Sequence, residues 1–202
     1  MDNLNSFTGT VRRCVDDYGM IDEGDVIAVG VSGGKDSLVL LRALKHLQSF
    51  YPKRFDVLGL TLELGFEGMD FAPVAEMCRQ EDIPYTCIKT DIKEIVFDVR
   101  KEENPCSLCA RMRRGALHDA CVKFGCNKLA LGHHFNDAVE TFVMNLFNEG
   151  RIGCFSPKTH LSRKNITLIR PMVLAPEKEI RRAANKNGLK IVKSKCPADG
   201  RL

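Results

Sequence analysis

DVIAVGVSGGKDSLVLLRALKHLQSF (residues 25–50) joins two apolar runs through a polar turn that carries a glycine pair. The first run, DVIAVGV (25–31), is short and rich in β-branched residues, the pattern of a buried strand. The second (37–50) repeats leucine at helical spacing, so the turn SGGKDS links a strand to a helix. Gly33 and Gly34 let the backbone approach a phosphate closely, and the first N–H groups of the helix then point at the anion. Lys35 adds a positive charge, while Ser32 and Ser37 add hydroxyl donors. The turn is not a Walker A loop, which needs G-x-x-x-x-G-K-[ST]: Asp36 follows Gly34-Lys35, and Val29 stands where the first glycine belongs. It is not the dinucleotide G-x-G-x-x-G fingerprint either.

Outward from this turn the chain keeps alternating. Residues 55–64, 85–92 and 127–134 read as strands, and 71–83, 105–125 and 136–150 as helices. Pro73 suits a first helical turn, and Asn136 or Asp137 is a candidate N-cap. Beyond Gly150 the pattern is less regular. Residues 165–172 suggest a strand, and 175–188 a helix with Pro176 at its start and Gly188 after its end. The expectation is a doubly wound, mostly parallel α/β sheet (core 1–150) with a short basic C-terminal extension (151–202) packed on it. Such sheets bind ligands beyond the carboxyl ends of their strands, and SGGKDS and GHHFND (132–137) both fall on that rim.

The 202 residues are 44% hydrophobic and 28% charged, the composition of an ordinary globular protein. No apolar run approaches the roughly 20 residues of a membrane helix. The start, MDNLNSFTGTVRRC, lacks a basic-then-apolar leader, so the expected compartment is the cytoplasm. Residues 151–202 hold 13 Lys/Arg against 3 Asp/Glu, while residues 1–150 hold 17 against 23. A basic end on a mildly acidic body points to a polyanionic partner on one side. Nine cysteines in a reducing cytosol argue for metal or redox chemistry at a few positions. Cys14, Cys78, Cys87, Cys121, Cys126 and Cys154 read as small buried apolar residues.

NPCSLCARMRRGAL (104–117) is the second chemical signal. Asn104 can cap the helix, Pro105 suits its first position, and Cys106 and Cys109 share one helical face. A helix N-terminus with arginines nearby favours the thiolate, the metal-binding form. A single C-x-x-C fits a zinc pair, a redox dithiol or two ligands of an iron–sulfur cluster. The candidate third ligand is Cys196 in KSKCPADG, polar on both sides and therefore a poor core residue. Three thiolates leave one metal position open, as a catalytic metal requires.

SGGKDS between a strand and a helix resembles the pyrophosphatase loop of the ATP pyrophosphatase (PP-loop) superfamily, which splits ATP between its α and β phosphates. MIDEGDVIAVGVSGGKDSLVLL, CSLCARMRRGAL, LALGHHFNDAVETFVMNLF and LIRPM, in that order, further resemble the tRNA 2-thiocytidine synthetase (TtcA) family. The resemblance implies an adenine-nucleotide alpha hydrolase-like fold and a sulfurtransferase that uses ATP, Mg²⁺ and a [4Fe–4S] cluster. In that family the C2 oxygen of cytidine 32 in tRNA is adenylated, and sulfur derived from cysteine displaces AMP. Carried onto this sequence, Cys106, Cys109 and Cys196 ligate the cluster, and Ser32, Gly33, Gly34, Lys35, Asp36, Ser37, Gly132 and His133 bind ATP. Lys35, Asp36 and Asp137 are the catalytic candidates, with Asp36 and Asp137 toward Mg²⁺. Arg111, Arg113, Arg114 and Arg170 are candidates for tRNA contact, with Arg151, Arg181 and Arg182 behind them. The implied partners are tRNA, a cysteine desulfurase or other sulfur donor, and a second copy in a homodimer, with no membrane.

The sequence departs from the family pattern in GHHFND, where Asn136 replaces the first Asp of G-H-H-x-D-D. KCPADG carries one cysteine where some members carry C-x-x-C, and a further short segment is expected beyond it. Two other readings stand beside this one. Thiolation of a tRNA uridine by the same chemistry is the first, although such relatives often carry extra zinc-ribbon cysteines. A nucleotide-binding regulatory module with a structural zinc is the second.

Overall fold

A computed structural model describes residues 2–101 and 104–198; residues 199–202 of the expected C-terminal extension lie outside that range. The order of elements is α1 (Asp2–Asp17), β1 (Asp25–Gly30), α2 (Lys35–Gln48), β2 (Phe55–Glu63), α3 (Ala72–Gln80) and β3 (Tyr85–Lys89). A short π-helical segment (Glu94–Val99) precedes α4 (Pro105–Lys123), β4 (Lys128–Ala130), α5 (Phe135–Glu149), β5 (Lys158–Leu161), β6 (Ile166–Ile169) and α6 (Glu177–Lys186).

The six strands form one sheet in the order β3-β2-β1-β4-β6-β5, parallel except for β5, which runs antiparallel to β6. β1 lies in the middle, so DVIAVG is apolar on both faces, as a parallel strand covered by helices must be. The strand order reverses between β1 and β4, and a crevice opens there at the carboxyl ends. The turns after β1 and β4 are SGGKDS and GHH, so the topology brings the two polar motifs to one rim.

One face of the sheet is covered by α1, α2, α3 and α6, the other by α4. α2 is packed nearly all round: Leu38, Leu40, Leu41, Leu44 and Leu47 are fully buried against the sheet, α1 and α6. Burying each such leucine contributes about 1.5–3 kcal/mol, which anchors the start of this helix, and hence the glycine turn, to the core. α5, by contrast, has no buried residue; Phe142, Val143, Leu146 and Phe147 lie along its exposed face, Phe147 at 81%.

Several expectations change on contact with the structure. The sheet runs across residue 150, because β6 pairs with β4 and brings β5 with it. β5 is polar on its exposed edge and carried no strand pattern; its partner β6 defines it. α1 was not visible as a helix in the sequence, yet Phe7, Val11, Cys14 and Val15 recur at helical spacing and are buried. Cys14, Cys78, Cys121 and Cys126 are buried as expected, but Cys87 and Cys154 are exposed. Cys87 sits on β3, the sheet edge, and Cys154 in the connection after α5, and neither place has a covering layer.

Candidate active site

The glycine turn is held in shape by its two serines. Ser37 Oγ accepts from the Ser32 N–H (3.2 Å) and donates to the Gly34 carbonyl (2.9 Å). Ser32 Oγ accepts from the Gly34 N–H at 3.3 Å. Ser37 is buried, so its hydroxyl works inside the turn; it is not free to donate to a ligand as the sequence suggested. Gly33 has φ +84°, a conformation that favours glycine, and a Cβ on it would lie 2.8 Å from Val192 Cβ. Gly132 is small for a related reason: a Cβ there would meet Ser37 N at 3.2 Å, so the turn after β4 packs directly beneath the start of α2.

Lys35 is bracketed by carboxylates. Its Nζ lies 3.0 Å from Glu177 Oε1 and 3.2 Å from Asp36 Oδ2. Burial works against the ammonium, but Glu177 and then Asp36 outweigh it and hold its pKa above the ordinary value. Glu177 in turn is held below its ordinary value by Lys35 and by Arg181, whose NH2 is 3.1 Å away. Asp36 Oδ1 is buried and has no hydrogen-bond partner, with His134 Nε2 3.8 Å from it.

The N-cap of α5 is His134, not Asn136 or Asp137. The His134 N–H donates to Asp137 Oδ2 (2.8 Å), and the Asp137 N–H donates to His134 Nδ1 (3.4 Å), a reciprocal capping box. Asp137 sits one helical turn too late to be the cap itself, and the box commits one of its carboxylate oxygens to the helix. Asn136 has a different duty: its Oδ1 accepts from the Glu177 N–H at 3.0 Å and so caps α6 from the neighbouring helix. A neutral amide makes this bond as well as a carboxylate would, which gives the departure from the G-H-H-x-D-D pattern a structural meaning.

Two cavities meet at the glycine turn. The first, about 300 Å³, is lined by Gly30, Val31 and Ser32, by Leu60, Leu117 and Leu131, and by His118 and His133. His133 Nδ1 is buried without a partner, and its ring packs against Phe155 at 5.1 Å. Burial, then the charge of Arg170, pulls the His133 pKa below its ordinary value. The second cavity, about 640 Å³, runs from Ser32 and Gly34 to Cys109 and Cys196. Ser32, Leu62 and Arg113 line both.

Asn104 caps α4 as expected, its Oδ1 accepting from the Ser107 N–H at 3.3 Å. Cys106, Cys109 and Cys196 are free, partly buried thiols. Burial pushes the Cys109 thiol above its ordinary value, Arg113 pulls it back, and Cys196 and Cys106 push it up again. The expectation that the helix terminus and its arginines would favour a thiolate is therefore corrected: desolvation is the larger effect at Cys109. Among the described residues no group of three His, Cys, Asp or Glu is close enough to hold a single metal ion.

Of the arginines expected to meet tRNA, Arg113 and Arg114 line the cavities and Arg111 is exposed. Arg170 is turned inward: its guanidinium stacks on Phe155 at 4.8 Å and donates to the Ser156 carbonyl at 2.5 Å. The sequence gave no sign of Glu177 beside Lys35, nor of residues 191–196 crossing the glycine turn, because both contacts join segments more than 140 positions apart without a local pattern.

A family model described as a PP-loop domain matches residues 6–201. The chain is 37% identical over 203 residues to a tRNA-cytidine(32) 2-sulfurtransferase of Geobacter sulfurreducens, an alignment covering 99% of this chain and 79% of that one. Among solved structures it is similar to the U34-tRNA thiolase NcsA of Methanococcus maripaludis with its [4Fe-4S] cluster, at 27% identity and a TM-score of 0.78. That match covers 96% of this chain and 66% of the thiolase. An NH3-dependent NAD synthetase of Campylobacter jejuni, 16% identical with a TM-score of 0.56 over 93% of this chain and 73% of its own, shares the fold.

Proposed function

The chain belongs to the tRNA-cytidine(32) 2-sulfurtransferase family of PP-loop proteins, and from that premise we propose that it is an ATP-dependent, iron–sulfur-dependent tRNA thiolase that converts cytidine 32 to 2-thiocytidine. The observation that carries the reading is the shared cleft: the glycine turn forms one end, and Cys109 and Cys196 the other. Activation of an oxygen and delivery of a sulfur need such adjacency, since the activated intermediate must not reach water first. Cytidine is favoured over uridine by the higher identity to the cytidine enzymes, 37% against 27% for the uridine thiolase.

In this reading the smaller cavity takes the adenosine, and the N–H groups at the start of α2 hold the departing pyrophosphate. Lys35 exchanges Glu177 for phosphate oxygens and stabilises the charge that builds on the leaving group. The C2 oxygen of the base attacks the α-phosphorus, the bond to the β-phosphate oxygen breaks, and the adenylated oxygen later leaves as AMP when sulfur replaces it. Asp36 fits a Mg²⁺ ion through its unpartnered buried oxygen; Asp137 contributes the carboxylate oxygen that its capping bond leaves over. Ser32, Gly33 and Gly34 shape the turn, and Gly132 and His133 back it from β4.

Cys106, Cys109 and Cys196 fit a [4Fe–4S] cluster by their chemistry, three thiols and no competing carboxylate in the cleft among the described residues. A cubane also holds its ligands farther apart than one ion does, in keeping with thiols that share a cleft without closing on a single metal. When bound, such a cluster supplies an iron with an open position for sulfur. Arg111, Arg113, Arg114 and Arg170 remain the proposed tRNA contacts, Arg170 by supporting the rim through Phe155. The reading extends to a cysteine desulfurase or other sulfur donor, a homodimer and the cytoplasm; among the described residues no helix is long and apolar enough to cross a membrane.

Mass spectrometry of tRNA nucleosides tests the assignment. A strain lacking the gene should lose 2-thiocytidine, and a copy carrying Lys35→Ala should not restore it. An unchanged 2-thiocytidine level refutes the cytidine assignment.

A further inference from the structure

The larger cleft is built of two unlike kinds of surface. Its ends are polar or sulfur-bearing: Ser32 and Gly34 at one, Cys109 and Cys196 at the other. Its walls are apolar. Leu62, Leu64, Phe66, Met69 and Phe71 come from β2 and the connection to α3, and Ile191 and Val192 face them from the segment after α6. Neither a triphosphate nor a thiolate needs hydrocarbon walls, so nothing in the site as described so far accounts for them.

No aspartate or glutamate lines the cleft among the described residues. A cationic substrate such as a free amine would find no counter-charge there, and burying it would be costly. The charged groups present, Arg113 and Lys193, are positive and suit phosphates on either side of a bound group. Apolar walls, positive flanks and no carboxylate match an uncharged, planar heterocycle still attached to its sugar–phosphate chain. Ile191 adds a second observation. It is a large apolar residue, 48% exposed where it lines the cleft, and no other side chain of the molecule covers it fully.

We propose that this cleft receives the target nucleotide as an unstacked pyrimidine base, laid between the Phe66–Met69–Phe71 wall and Ile191, with its C2 edge toward Ser32 and Gly34. The inference rests on the tRNA-thiolase reading and adds the form in which the substrate binds. Enzymes that act on a base atom must draw the base out of its stack, and apolar or aromatic walls replace the stacking it loses. The cleft also explains why the two reagents sit at opposite ends: a base held between them meets the α-phosphate on one side and the cysteines on the other. Arg113, which lines both cavities, stands at the crossing point.

The probe is a stem-loop RNA carrying the fluorescent analogue pyrrolo-cytidine at the loop position matching cytidine 32, mixed with the full chain and an ATP analogue that cannot be cleaved between the α and β phosphates. Fluorescence should rise on binding to the wild type, because the analogue brightens when it unstacks. Ile191→Trp, which fills the slot, should abolish the rise while RNA affinity changes by less than about twofold, since phosphate contacts carry most of it. Ile191→Ala should slow thiolation of an unlabelled RNA by about tenfold, the loss of roughly one stacking contact. Because Ile191 is exposed, both variants should melt with the wild type, and a retained melting temperature shows that they fold. Binding by the wild type without a rise, or a full rise in Ile191→Trp, overturns the inference. A rise without any 2-thiocytidine formed in a complete reaction supports the cleft and overturns the thiolation reading instead. Formation of 2-thiocytidine with no rise overturns the cleft and leaves the thiolation reading standing.

Discussion

The Val192 N–H donates to the Gly33 carbonyl across 3.0 Å, and the Val192 side chain occupies the space that a Cβ on Gly33 would need. The segment after α6 is thus fastened to the phosphate-binding turn at one point. Four residues later the same segment delivers Cys196 to the cleft. The contact uses the carbonyl of Gly33 and leaves the N–H groups of the turn free for an anion. Nucleotide site and cysteine site therefore share one short piece of backbone, and what deforms the turn should be felt at Cys196.

Gly33→Ala tests this coupling. The variant must hold an L residue at φ +84° and displace Val192, whose Cβ would be 2.8 Å away. A strained φ costs on the order of 1–3 kcal/mol, before any cost of moving the segment. ATP affinity should fall by about tenfold or more. Cys196 should also become more reactive toward an alkylating reagent as its segment loosens. Isothermal titration reads the first effect and mass-resolved alkylation the second; unchanged alkylation of Cys196 would separate the two sites.

At the opposite end of the sheet, Lys128 is a structural charge. Its side chain is 5% exposed, and its Nζ lies 2.5 Å from Asp25 Oδ2, 2.8 Å from Asp22 Oδ2 and 2.8 Å from the Met20 carbonyl. Asp25 is 4% exposed and also receives the Asn127 side-chain amide at 2.7 Å. Lys128→Met leaves that carboxylate buried without its cation and should cost about 3–5 kcal/mol in urea unfolding. Adding Asp25→Asn should restore part of the loss. ATP binding by the folded fraction should be unaffected, because the cluster lies at the amino ends of the strands.

How much of this was legible in the sequence depends on how local the cause was. β1, the glycine turn and α2 were legible because their pattern is contained in 26 consecutive residues. Asn104 as the cap of α4 was legible for the same reason. The reach of α6, with Pro176 before it and Gly188 at φ +60° after it, followed from the punctuation alone. The misreadings were of another kind. His134 took the cap of α5 because a histidine nitrogen can replace the usual cap oxygen, a choice that residue preferences do not favour. Asn136 found its partner at Glu177 and Lys35 found the same residue, and neither contact leaves a trace in sequence spacing. The resemblance to a known family named the three cysteines; only the fold placed Cys109 and Cys196 in one cleft with the glycine turn.

Acid should loosen the molecule through two histidines of the smaller cavity. Burial, then Arg170, lowers the pKa of His133, and burial, then Arg114, lowers that of His118. The fold therefore prefers both rings neutral. Their contribution to stability is fully present above the ordinary value of 6.5 and is lost as pH falls below it, because the unfolded chain takes up protons that the folded chain refuses. Melting temperature should decline between about pH 7 and about pH 5, and His133→Asn should flatten the decline. A variant with an unchanged slope would remove His133 from the account.

The cysteines give the sharpest test of the metal. Anaerobically purified protein should be brown and contain about four irons and four sulfides per chain, the content of one cubane cluster. Cys106→Ala, Cys109→Ala and Cys196→Ala should each lose most of that iron, since each removes one of three protein ligands. ATP affinity should survive in Cys106→Ala, which lies outside the turn and is not part of the cleft lining. Cys196→Ala is the informative contrast: its segment touches Gly33 through Val192, but that contact is a backbone bond four residues away and needs no thiol. Iron should therefore fall in both variants while ATP binding stays at the wild-type level. Stoichiometric zinc in anaerobic protein, colourless and insensitive to air, would instead assign the three thiols to a structural ion and end the sulfur-transfer reading.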